Sequence, residues 1–531
     1  MTDVVDAAST RSGKKLNLRW ALVLISVAQL MVVLDASIAN IALPYIGDDL
    51  NIDDANLTWI VTGYALAFGG FLLLGGRLGD LYGRRKIFMI GLSIFAVASL
   101  LGGFAQSEGL LLASRGLQGL GAALASPAAL ALITTTFPAG PARHRAFAVY
   151  AMMSGAGAAI GLILGGWLTG LDPILGLEGW RWTFLINVPI GLVAAFLAPR
   201  FLNESDSHPG ELDVPGAITG TLGLLGLVYG FSRAGEAQYG WGDTWTIAAL
   251  AAGVVMLAVF AFIESRVAHP LLPVRVFANR TRATSFLVMA LVPAAMFSMF
   301  YFLSLFIQLV VGYSPLHTGF AFLPFSVGIV IGATISSNLA GRIDPRYIAG
   351  VGTLMAAVAL IGFSRLSVPH STSDLLALGA DGFVGADVNY WTSIFPFIVL
   401  MAVGMGLTFV PLTLTAVHHL RSEDSGIGSG VLNTMQQVGG ALGLAILSTV
   451  ALQAADGTKT SLAGDLAAQG LPPEQVGAMA FVGSFTEGAT AAFLVGAVLI
   501  AIGSLAVWLF LNVKHEELAT DGPEGTPVHV G

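Results

Sequence analysis

Apolar runs about twenty residues long recur fourteen times between Trp20 and Leu511, and that recurrence decides the architecture. An α-helix rises about 1.5 Å per residue, so each run matches the roughly 30 Å hydrocarbon core of a bilayer. In lipid every backbone amide and carbonyl must find its partner inside the segment, which leaves the helix as the available form. The windows fall near 20–43, 57–76, 87–105, 109–136, 147–170, 182–201, 212–232, 244–263, 284–311, 317–340, 347–366, 392–416, 428–453 and 488–511. Charged residues make up 11% of the 531, against about 25% in soluble domains. The chain has no cysteine, which removes disulfides, thiolate metal sites and cysteine nucleophiles. The expected fold class is an all-α polytopic membrane protein.

Basic residues orient the spans. The first 19 residues are polar and carry Arg11, Lys14, Lys15 and Arg19; the run behind them is too long for a signal-peptide core and reads as a retained first span. Counted by alternate segments, 19 Lys and Arg fall on one side, and 4 (Arg181, Arg233, Arg365 and Lys459) on the other. Arg115 alone lies within a span. The positive-inside rule then places both termini in the cytoplasm, with the chain in the cytoplasmic membrane. Trp59, Trp180, Trp182, Trp241, Trp245 and Trp391 fall at outer ends, as an interfacial belt requires. The outer stretches 367–391 and 454–487 read as polar loops too short for enzyme domains, and the tail after Lys514 as disordered.

Between the second and third windows stands Gly75-Gly76-Arg77-Leu78-Gly79-Asp80-Leu81-Tyr82-Gly83-Arg84-Arg85-Lys86. It reads as a tight glycine-rich turn in water. Its Asp and arginines are placed for charge-assisted bonds at helix ends. A second pattern repeats at one offset: Arg143 precedes Gly161-xxx-Gly165 by 18 residues, and Arg421 precedes Gly439-xxx-Gly443 by the same 18. Small-xxx-small pairs let helices approach closely in lipid. Two such pairs after basic loops imply related halves, 20–201 and 284–511, with 212–263 as two linking helices, 1–19 as an N-terminal segment and 512–531 as a tail.

Only one acid and one base sit well inside spans, Asp35 and Arg115. A charge there costs about 2.5–3.5 kcal/mol on insertion scales, so it faces a cavity or a partner. Counted from the outer helix ends, the two lie at similar depth, roughly 12 and 9 Å. The pair has two readings. It is a structural ion pair, or Asp35 takes up and releases a proton, burial favouring its neutral form and Arg115 its charged one.

The flanking residues carry a resemblance. The 75–86 stretch closely resembles the loop between helices 2 and 3 of the major facilitator superfamily. Leu34-Asp35-Ala36-Ser37-Ile38-Ala39-Asn40-Ile41-Ala42-Leu43-Pro44 is similar to the first-helix motif of its fourteen-span drug:H+ antiporters, the QacA/EmrB type. Arg115-Gly116-Leu117-Gln118-Gly119-Leu120-Gly121-Ala122 resembles the superfamily's fourth-helix motif, and Trp180 to Gly191 the start of the sixth helix. The resemblance implies the major facilitator fold, two six-helix halves plus two linking helices. It implies proton coupling through Asp35 and Arg115, with Gln118, Gly119 and Gly121 completing the fourth-helix motif. It also implies a gating role for Gly76, Arg77, Gly79, Asp80, Gly83, Arg84 and Arg85. The fifth-helix antiporter motif is represented by Gly157, Gly161, Gly165 and Gly166, but the proline of its usual Gly-Pro-x-x-Gly-Gly is absent, and that motif is the one that separates exporters from importers.

Aromatic and thioether side chains in spans 5 and 9 (Met152, Phe297, Phe300, Tyr301) offer adaptable surfaces for lipophilic cations. Gln308, Asn433, Gln436 and Gln437 add amides that suit a wet cavity better than lipid. No phosphate-binding loop, zinc-protease or nucleophile-elbow motif is present, so the expectation is not an enzyme and no ATP hydrolysis. The function expected is a proton-coupled antiporter exporting lipophilic or cationic drugs, with protons as the coupling ion and no cofactor or metal. Its partners are amphipathic or cationic small molecules and the lipid bilayer, without nucleic acid, and a monomer suffices. The alternatives are a dedicated exporter of a lipid, siderophore or self-made antibiotic, or a non-transporting receptor or scaffold on the same fold.

Overall fold

The computed structural model describes residues 8–9, 15–137, 141–204, 212–236, 238–267, 270–367, 388–417, 425–468 and 472–520. Helices dominate. The only strands among the described residues are the two-residue pair Ala8–Ser9 and Lys15–Leu16. In chain order the helices are α1 (Leu18–Leu50), α2 (Asp54–Tyr82), α3 (Arg84–Gly103), α4 (Glu108–Thr136), α5 (Pro141–Thr169), α6 (Gly179–Leu185), α7 (Asn187–Phe201), α8 (Val214–Gly235) and α9 (Thr244–Glu264). They continue with α10 (Arg280–Leu305), α11 (Pro315–Ala321), α12 (Leu323–Leu339), α13 (Pro345–Phe363), α14 (Tyr390–Ser393), α15 (Phe395–Val417), α16 (Ser425–Ala468), α17 (Pro473–Phe510) and α18 (His515–Thr520). Thirteen stretches are long and apolar enough to cross a membrane. The remaining expected span, 147–170, is covered as far as Thr169 by the 29 residues of α5.

Prolines break two of the spans. Pro189 has no amide to offer Leu185, and the sixth span divides there into α6 and α7. Pro324 has the same effect between α11 and α12. The ninth span ends in a π-helical turn, Phe306–Val310.

Four expectations need correction. Gly75 to Tyr82 is not a turn but the last two turns of α2; Gly75 packs its bare backbone on Ala123 of α4, and the reversal is confined to Gly83 (φ 102). The stretch 454–487 is not a loop. It is a helical hairpin that extends α16 to Ala468 and begins α17 at Pro473, its arms joined by buried Leu462, Leu466, Val476, Met479 and Ala480. Trp180 does not face the interface; it is 1% exposed and donates to Asp49 Oδ2 at 3.0 Å. The tail beyond Lys514 opens with a helical turn, α18, anchored by two hydrogen bonds from His515, its amide and Nδ1, to Asp344 Oδ1 at 2.9 and 2.8 Å. Most of 367–391, and Arg421 of the repeat, lie outside the described residues.

The repeated glycine pairs do the same work twice. Gly161 and Gly165 of α5 lie on Ser37 and Ile38 of α1, and Gly439 and Gly443 of α16 lie on Ala290 and Ala294 of α10. The first and last long helices bring both chain ends to one face. Near the opposite face the halves meet backbone to backbone. Gly166 stands against Pro315 and Leu316, Gly319 stands against Leu162 and Ile163, and Ser304 Oγ donates to Asn40 O at 3.2 Å.

Candidate functional site

Asp35 and Arg115 meet. Arg115 Nη1 lies 2.6 Å from Asp35 Oδ2, and the two side chains are 1% and 3% exposed. Charges this deep need every lone pair and proton engaged. Arg115 Nε donates to the Ile60 carbonyl at 2.8 Å, and Nη1 also donates to Gln118 Oε1 at 2.8 Å. Gln118 sits one turn on from Arg115 along α4, which is why the fourth-helix spacing places both on one face. Its amide nitrogen donates to Asp35 Oδ1 at 3.0 Å and to Ser99 Oγ of α3 at 2.8 Å. Asn187 Nδ2, the first residue of α7, donates to Asp35 Oδ1 at 2.9 Å. The Tyr64 ring stands 4.5 Å from the guanidinium carbon, adding a cation–π contact.

Five helices thus converge on one carboxylate and one guanidinium. Asn187, Ser99 and Tyr64 were not singled out from the sequence, although Asn187 sits inside the quoted sixth-helix stretch. Of the fourth-helix glycines, Gly119 brings α4 onto the backbone of Tyr64 and Phe68, and Gly121 brings it onto Gly91 and Phe95. Gly157 completes the α5 stripe against Leu30 and Val33 of α1.

The residues around Gly83 form a second cluster, at the face bearing the chain ends. Arg84 Nη2 lies 3.0 Å from Asp80 Oδ1 one turn back, and Arg84 Nη1 lies 3.5 Å from the Ala131 carbonyl of α4. Glu204 accepts from the amides of Arg85 and Lys86 at 2.9 and 3.2 Å, at the start of α3 where partial positive charge gathers. Arg85 returns the contact, with Nε 3.6 Å from Glu204 Oε2 and Nη1 donating to the Leu202 carbonyl at 3.0 Å. Gly76 and Arg77 are helical, Gly76 beside Pro127, and Gly79 accepts the Gly83 amide.

The cavity candidates do not gather in one place. Phe300 stacks on Phe322 and meets Phe325 edge-on, at 5.3 and 4.8 Å between ring centroids, and Phe297 packs over Gly440. Gln436 reaches the Met289 sulfur at 3.5 Å, Gln437 touches Gly69, and Asn433 is exposed. Gln308 turns its nitrogen to Ser304 and leaves Oε1 buried without a partner among the described residues. Tyr301 faces a different cavity, nearer the face opposite the chain ends. The Met152 side chain lies outside the described residues.

Comparison with known proteins follows the same outline. The chain is 39% identical over 502 residues to the puromycin resistance protein pur8 of Streptomyces alboniger, covering 94% of this chain and 92% of that one. It is 37% identical over 469 residues to the cephamycin export protein CmcT of Amycolatopsis lactamdurans, covering 87% and 91%. A bacterial homolog of the human lysosomal transporter Spinster, solved inward-facing and unoccupied, shares the fold with a TM-score of 0.64 at 17% identity, over 94% of this chain and 98% of that one. Residues 25–444 match the Major Facilitator Superfamily as a whole. The chain belongs to the Major Facilitator Superfamily and is a multi-pass membrane transporter rather than an enzyme.

Proposed function

We propose that this protein exports lipophilic or cationic antibiotics and drugs across the cytoplasmic membrane in exchange for protons, with both termini in the cytoplasm. The similarity to proteins named for puromycin resistance and cephamycin export supports the cargo class. The observation that carries proton coupling is the fully engaged Asp35 carboxylate.

Protonating Asp35 turns the bonds from Gln118 and Asn187 into neutral ones of roughly half the strength and reduces the Arg115 contact from an ion pair to a bond between a cation and a neutral carboxyl. Arg115 keeps Ile60 O and Gln118 Oε1, and so stays tied to α2 and α4. The helix set loose is α1. That helix touches the C-terminal half through Asn40 and Ser304 and carries the α5 glycine stripe on Ser37 and Ile38. Proton uptake thereby loosens the contact between halves near the outer face, and deprotonation restores it. Asp80–Arg84 and Arg85–Glu204 act as the gate at the cytoplasmic end, each ion pair contributing on the order of 1 kcal/mol, enough to bias an equilibrium and not to lock it. No metal or cofactor takes part, and a monomer in the bilayer suffices.

A narrower reading, favoured by relatives named for single antibiotics, is a dedicated exporter of one self-made compound; a siderophore or lipid cargo would use the same machinery. Drug-dependent proton release in inverted vesicles separates them. Dissipation of an imposed pH gradient by many lipophilic cations, lost in Asp35→Asn, supports the broad antiporter. No response to any of a panel of such cations removes the broad cargo reading.

A further inference from the structure

A cavity of about 760 Å³ opens between the halves near the face opposite the chain ends. It is walled by the end of α1, the start of α2, the end of α8, and by α10, α16 and α17. Pro44 and Gly47 on its rim lie nine and twelve residues beyond Asp35 on α1, roughly 14–18 Å along the helix axis. The cavity is therefore separate from the buried carboxylate cluster.

Its chemistry is one-sided. Asp48, Asp53, Glu236 and Asp456 line it, with Lys459 as the one base. Asp49 next door is spent on Arg181 at 2.8 Å, whereas among the described residues Asp48, Asp53 and Asp456 form no ion pair. Asp53 caps α2 with its backbone and leaves its side chain out of the cap. The opposite wall is aromatic: the Phe302 and Phe485 rings stand 6.4 Å apart, and Phe481 stacks on Phe485 at 5.9 Å. A cleft with low-dielectric walls and surplus carboxylates concentrates cations, and the rings supply cation–π contacts. Its volume falls within the range of about 300–1,000 Å³ typical of small-molecule sites.

We propose that this vestibule is a second binding site, selective for flat aromatic organic cations, at the far end of the transport route. The proposal deepens the export reading, but binding here requires neither Asp35 nor turnover.

The absence of native cysteine permits a site-specific test. Gln238 lines the cavity and is exposed, so Gln238→Cys provides a single maleimide-reactive thiol in the full-length purified protein. Ethidium is the probe, with neutral phenanthridine as the uncharged control. Ethidium is expected to protect the thiol, phenanthridine to fail, and the half-protecting ethidium concentration to rise at least tenfold in Asp53→Asn/Asp456→Asn. Both substitutions are at exposed positions, and Asp456→Glu should retain protection. Protection persisting in Asp35→Asn supports a distinct site, while transport lost in that same variant reports separately on the export reading. No protection by ethidium, equal protection by phenanthridine, or indifference to the double substitution would overturn the vestibule site.

Discussion

Asn187 Nδ2 lies 2.9 Å from Asp35 Oδ1, delivered there by the break that Pro189 imposes on the sixth span. The amide and the carboxylate are both buried, so they act as one unit with Arg115 and Gln118. Asn187→Ala should destabilise the protein by about 1–3 kcal/mol, the cost of a buried acceptor losing a donor. Asp35→Asn with Asn187→Ala should be non-additive by more than about 0.5 kcal/mol. Thermal unfolding of the two single variants and the double variant in detergent checks this; strict additivity would mean the contact carries no energy.

Arg115 serves three acceptors from one planar group. Lysine cannot hold Ile60 O, Gln118 Oε1 and Asp35 together. Arg115→Lys should therefore remove coupled transport while leaving a folded protein, and Arg115→Ala should cost about 3–5 kcal/mol by stranding a buried carboxylate. Melting temperature and vesicle transport, measured side by side, distinguish the two.

Gly83 has φ 102 and ψ 127, a region costly for any side chain, and a Cβ there would sit 2.7 Å from Glu204 Oε1. Gly83→Ala should cost on the order of 1–3 kcal/mol and detach Glu204 from α3. A drop in melting temperature together with faster proteolysis near residue 204 is the expected result; unchanged stability would show that the turn is not strained.

At the same face the two hydrogen bonds from His515 hold the Asp344 carboxyl below its usual range. A carboxylate depressed in the folded state stabilises the docked tail above its ordinary value of about 3.9, and that contribution fades as pH falls through the lowered value. Hydrogen-exchange protection at residues 515–517, taken relative to the intrinsic exchange rate at each pH, should hold from pH 7 to pH 5 and fall only below about pH 4. Asp344→Asn should remove this acid dependence.

Charge made part of the site legible in the sequence. Asp35 and Arg115 stood out because ionised groups are rare in apolar runs, and the resemblance to the fourth-helix motif brought Gln118 with them. Asn187, Ser99 and Tyr64 are neutral, and neutral polar residues occur in many spans without converging. The fourteen apolar windows gave the helices, but hydropathy misjudged two stretches for opposite reasons. The glycines at 75–79 looked like a turn, whereas they are helical, and Gly75 and Gly76 serve close packing against α4. The polar stretch 454–487 looked like a loop because hydropathy measures lipid contact and says nothing about two helices packing in water. Leu462 and Leu466, four residues apart, were its faint helical sign.

The two arms of that hairpin are much longer than a bilayer needs. At about 1.5 Å per residue, the 44 residues of α16 and the 38 of α17 run roughly 66 and 57 Å, against a hydrocarbon core of about 30 Å. The excess, on the order of 30 Å, projects as one stiff boom from the C-terminal half. A boom of that length turns rotation into reach: a rocking of about 10° at its root sweeps its tip by roughly 5 Å. Small angular changes deep in the bundle, where helices can barely slide, would become displacements about as wide as an aromatic ring at the tip.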